Sequence, residues 1–103
     1  SIVHSPQSAE VLVTKSKDGL VDLDDLMDKL GWMGITSILV EGGRKIITSF
    51  LKEKLVDRVV FFISPKVIGE DGLAMTEILP LPITFSETKT KRIGEDIMVS
   101  GKL

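Results

Sequence analysis

ILVEGGRKI, residues 38–46, sets three apolar residues against a carboxylate, two glycines and two cations. Read backward, the run begins at Thr36. TSILVE is a continuous apolar stretch too short for an independent helix, so it reads as a strand covered on both faces. Read forward, a helical period opens at Arg44 and runs to Leu55. Ile46, Ile47, Phe50 and Leu51 fall on one side, with Lys45, Ser49, Lys52 and Glu53 on the other. A buried strand feeding a helix through paired glycines is the joint expected in a parallel sheet with crossover helices.

The flanking sequence extends that pattern. Upstream, AEVLVT (9–14) reads as a strand and KSKDG (15–19) as a turn. In VDLDDLMDKLGWMG, Leu23, Leu26, Met27 and Leu30 take the i, i+3, i+4, i+7 spacing of a helix with one buried stripe. Asp22 suits the N-cap, Asp24 and Asp25 suit the first turn, and Gly31 and Gly34 suit the stop. Downstream, DRVVFFISP (57–65) is a strand ended by Pro65, and residues 66–82 form a long loop. ITFSETKTKRI and DIMVSGKL then form an antiparallel hairpin about residues 93–96. The resulting expectation is an α/β fold: a mostly parallel sheet with crossover helices and a C-terminal antiparallel hairpin, as a single domain over 1–103.

Composition narrows the function. A chain of 103 residues supports one modest core. With no cysteine and a single histidine, His4, thiolate and histidine-cluster metal sites and cysteine-dependent nucleophilic chemistry are excluded. A net charge of −2 gives no reason to expect nucleic acid or an anionic membrane. Arg44-Lys45 and Lys89-Thr90-Lys91-Arg92 read first as solvated faces. No apolar run approaches a membrane span, and a cytoplasmic protein is expected.

The chemistry concentrates at the glycine joint. Ligands of an open parallel sheet lie beyond the carboxyl ends of its strands, where Glu41 falls. Burying that carboxylate unpaired within the sheet would be costly, whereas at the strand mouth it can meet a polar ligand. Gly42 and Gly43 let a ligand approach the main chain. The helix that follows opens with amide N–H groups that have no internal partner and favour an anion, to which Arg44 and Lys45 add charge. A phosphorylated ligand fits. The plainer reading stays open: a tight turn with Glu41 as a solvent-facing cap. Neither G-x-G-x-x-G nor a P-loop is present.

Elsewhere the bland readings prevail. His4 reads as a surface residue, Trp32 as a packing residue at a helix end, and Phe61 and Phe62 as packing on opposite faces of a strand. Asp22, Asp24, Asp25 and Asp28 read as capping and solvating groups, because they cannot all converge on a cation.

VDLDDLMDKLGWMGITSILVEGG, followed by SFLKEKLVDRVVFFISPKVIG, resembles the reductase domain of the riboflavin-biosynthesis deaminase/reductase family. The resemblance rests on Leu30-Gly31 with Gly34-Ile35, Leu39-Val40-Glu41-Gly42-Gly43, Leu55-Val56-Asp57, and Ser64-Pro65-Lys66 with Gly69. It implies a dihydrofolate-reductase-like fold and NADPH-dependent reduction of 5-amino-6-(5-phosphoribosylamino)uracil to its ribitylamino product. It also implies that Glu41 faces that substrate, and that Gly42, Gly43, Arg44, Lys45 and Ile46 cradle the cofactor phosphates. Lys66 and Gly69 read as a structural turn. Such a domain is about twice this length, so the chain is expected to be its C-terminal half, inactive alone and prone to form a homodimer. Two alternatives remain: a non-catalytic dimerisation or assembly module, and a reductase of the same fold acting on a pterin or folate.

Overall fold

The computed structural model describes residues 9–69, 72–77, 79 and 82–103, together with the backbone of residues 2–4. They fall into two compact units, residues 1–39 and 40–103.

In the first unit, β1 (Ile2–His4) pairs antiparallel with β2 (Glu10–Leu12), Ile2 opposite Leu12. The side chain of His4, expected at the surface, lies outside the described residues. β3 (Ser16–Lys17) and β4 (Leu20–Val21) form a tight hairpin. Its two central residues, Asp18 (φ 53°) and Gly19 (φ 75°), both have positive φ, the signature of the type I′ turn that Asp-Gly favours. The expected turn at 15–19 is therefore a hairpin.

Helix α1 (Leu23–Trp32) forms where its apolar spacing places it. Leu23 is buried, and Leu26, Met27 and Leu30 are half-buried. Asp22 caps the start, its Oδ1 accepting from Asp25 N at 3.1 Å. At the other end Gly34 (φ 79°) donates to the Gly31 carbonyl at 3.0 Å, and Ile35 N to the Leu30 carbonyl at 3.1 Å. That pair of bonds is a Schellman stop. Gly31 lies inside the helix, so Gly34 is the terminator.

The second unit holds α2 (Arg44–Lys52) and a three-stranded sheet of β5 (Arg58–Ile63), β6 (Ser86–Ile93) and β7 (Asp96–Lys102), in the order β5-β7-β6. Helix α2 stops at Lys52 rather than Leu55. Lys54 (φ 57°) takes the left-handed position usually held by glycine, and Leu55 N reaches back to the Phe50 carbonyl at 3.1 Å. The hairpin turns at Gly94 (φ 59°) and Glu95, with Ile93 opposite Asp96. Positive φ at the first central residue alone is the type II′ pattern. Within the long loop, Lys66 N donates to the Ser64 carbonyl at 2.8 Å and Gly69 has φ 79°, the structural turn expected there.

Two expectations about the sheet are corrected. Every strand pair among the described residues is antiparallel, so the mostly parallel sheet is not formed. Residues 36–41, expected as a strand covered on both faces, are irregular, with Ile38 44% and Leu39 82% exposed. A central parallel strand needs a ladder partner on each edge, and no described strand pairs with this segment. β5 instead takes its neighbour from the hairpin, with Arg58 opposite Lys102 through to Ile63 opposite Ile97.

Side-chain expectations divide along the same line. Phe61 is half-buried, its ring 5.9 Å from that of Phe85, while Phe62 on the opposite face is 63% exposed. Trp32 is 85% exposed and does not pack, because it ends α1 off the Leu23–Leu30 stripe.

Candidate functional site

Glu41, Gly42, Gly43, Arg44 and Lys45 are all exposed, and Ile46 is half-buried. Gly42 has φ 135°, a conformation that L side chains rarely adopt. A Cβ there would meet Ile46 Cγ2 at 3.5 Å, an ordinary contact, so the backbone rather than crowding requires glycine. Gly43 is the N-cap of α2, with φ −70° and ψ 163°. A Cβ there would meet nothing within 4 Å. What glycine removes at 43 is the capping side chain.

That removal has an electrostatic result. The first turn of α2 contains no acidic residue, and no side chain at Gly43 caps it. The first bond into the helix is from Ile47 N to the Gly43 carbonyl, at 3.3 Å. The N–H groups of Arg44, Lys45 and Ile46 precede any intrahelical acceptor. In α1 the same problem is solved internally, by the Asp22 cap and two acids in the first turn. At α2 an outside anion could play that part, worth ~0.3–1 kcal/mol at the surface and up to ~2 kcal/mol when partly buried.

Sequence reasoning missed Thr48 and Glu77. Thr48 is buried; its Oγ1 donates to the Arg44 carbonyl at 2.6 Å and accepts from Glu77 N at 2.8 Å. The segment holding Glu77 is thereby fixed to the first turns of α2. A contact spanning 29 residues leaves no local signal.

The acidic group behaves as capping and ion-pairing residues. Asp25 Oδ2 accepts from Lys15 N at 2.8 Å and from Lys29 Nζ at 3.0 Å. The Lys15 amide, and after it the Lys29 ammonium, hold this carboxyl below its ordinary value of 3.8. Lys89, Lys91 and Arg92 stand exposed on β6, as a solvated face should. Among the described residues, no helix is long and apolar enough to cross a membrane.

Fold and joint together define the class: an α/β protein whose second helix opens on a paired-glycine turn with no side-chain cap. The chain belongs to the RibD C-terminal domain family, whose model matches residues 2–99. Its relatives include the riboflavin biosynthesis protein RibD of Actinobacillus pleuropneumoniae, 38% identical over 101 residues, 91% of this chain and 27% of that protein. RibD of Aquifex aeolicus is 34% identical over 90% of this chain and 28% of its own length. RibD of Escherichia coli is 36% identical over 89% and 26%. The chain thus spans about a quarter of the length of the curated relatives it matches.

Proposed function

We propose that this chain forms the phosphate-cradling part of an NADPH-dependent reductase of riboflavin biosynthesis, acting on 5-amino-6-(5-phosphoribosylamino)uracil. The observation that carries the proposal is the uncapped start of α2 behind Gly42 and Gly43, with Arg44 and Lys45 exposed beside it. Membership of the RibD C-terminal family supports the pathway. In this reading the amides of Arg44, Lys45 and Ile46 receive the cofactor phosphates, and the two cations neutralise them. Glu41 accepts hydrogen bonds from substrate hydroxyls or amides. When bound, the dinucleotide supplies the hydride that converts the ribosyl group to ribityl.

Titration calorimetry of the protein with NADPH tests this. Saturable binding that inorganic pyrophosphate competes away is expected, and Glu41→Gln should retain that binding while weakening binding of the pyrimidine. Absence of NADPH binding overturns the reading. Binding of a pterin or folate in place of the pyrimidine would move the substrate within the same fold.

Exposed apolar residues favour a second reading. Val60 and Phe62, on one face of β5, are 52% and 63% exposed, and large uncovered apolar surface marks contact sites. As an assembly module the chain would form a homodimer indifferent to NADPH. Sedimentation across a concentration series, with and without cofactor, separates the two.

A further inference from the structure

Thr48 holds more than its own helix. A threonine hydroxyl bonding back to the carbonyl four residues earlier is common in helices and by itself means little. Ser49 does the same on the next peptide, donating to the Lys45 carbonyl at 3.0 Å from a more exposed position. Thr48 differs in being 2% exposed and in carrying a second bond, from the amide of Glu77. A hydrogen-bonded relay results: Glu77 N–H to Thr48 Oγ1, and Thr48 O–H to the Arg44 carbonyl.

The Arg44 carbonyl and the Lys45 N–H are two ends of one planar peptide. Fixing the carbonyl fixes the direction of the N–H, and a donor on the oxygen polarises the amide, strengthening its N–H as a donor. Lys45 N–H is one of the groups left without a partner at the start of α2. We propose that Thr48 is a positioning residue for the phosphate cradle, locking the Arg44–Lys45 peptide and tying Glu77 to it. This rests on the reading given under Proposed function. It adds that Glu77 is coupled to the cradle through Thr48, so ligand at the cradle should be felt at the Glu77 amide.

The experiment compares the wild-type protein with Thr48→Val and Thr48→Ser. Pyrophosphate and NADPH affinities are measured below each variant's unfolding temperature, and amide exchange is followed at Glu77 and Lys45. Thr48→Val should weaken pyrophosphate and NADPH by roughly 3- to 10-fold, the range of one hydrogen bond. Thr48→Ser, which keeps both bonds, should restore affinity. In the wild type, pyrophosphate should slow exchange at Glu77, and Thr48→Val should abolish that slowing. Wild type that binds NADPH while Thr48→Val binds it equally, or exchange at Glu77 indifferent to pyrophosphate, overturns the role of Thr48 alone. Wild type that fails to bind NADPH overturns the cradle itself, and this role with it.

Discussion

Lys29 Nζ lies 3.0 Å from Asp25 Oδ2 and donates also to the Val13 carbonyl, at 2.9 Å. One ammonium thereby ties helix α1 to the chain before it. The Asp25 carboxylate closes the loop by accepting from Lys15 N, whose own carbonyl accepts from Asp22 N at 3.0 Å.

This knot should respond to acid. The folded carboxyl of Asp25 titrates below its ordinary 3.8, held there chiefly by the Lys15 amide. Its stabilising contribution is therefore complete above that ordinary value and is lost as pH falls through the lower folded one. Urea midpoints at pH 6 and pH 3 should differ more for wild type than for Asp25→Asn. Equal differences would show that the carboxylate contributes nothing.

The two glycines of the joint should respond in opposite ways. Gly42→Ala forces a side chain into φ 135° and should destabilise by ~1–3 kcal/mol, with space no obstacle. Gly43→Asp places a capping carboxylate on an unstrained, open position and should stabilise α2 by a few tenths of a kcal/mol. Because that carboxylate takes the amides a phosphate would use, pyrophosphate affinity should fall about tenfold or more. Chemical denaturation and calorimetry on the same samples check both signs. A Gly43→Asp protein binding pyrophosphate normally would place the anion elsewhere.

Gly101 on β7 is held by a ring. A Cβ there would run into Phe85, the aromatic that also neighbours Phe61. Gly101→Ala should cost ~1–3 kcal/mol by overpacking, partly recovered when Phe85→Ala is added. Additive urea results for the pair would show that the ring does not lie over the glycine.

Lys54 sits at φ 57° just past α2, a left-handed residue that is not glycine. Lys54→Gly should raise stability by about 1 kcal/mol, since the Schellman stop would no longer strain a Cβ. A thermal midpoint unchanged or lowered would count against that geometry.

Much of the architecture is local and was therefore legible from residues alone. Asp22 and Gly34 bound α1 as read, the glycine joint opens α2 as read, and the closing hairpin turns where Gly94 permits it. Each depends on capping, on periodicity, or on a backbone conformation that one residue type favours, all acting within a few positions. The candidate anion site was legible for the same reason, being contiguous from Glu41 to Ile46.

Tertiary structure decided what depends on a distant partner. TSILVE carries every strand preference, yet a strand exists only when another offers a ladder, and residues 36–41 have none among the described residues. Trp32 and Phe62 are as apolar as any core residue, but whether they are covered is set by what packs over them. Thr48 and Glu77 meet across 29 residues, through a hydroxyl and an amide present in nearly every sequence. Their bond forms only because the fold brings the Glu77 amide against the buried Thr48 hydroxyl.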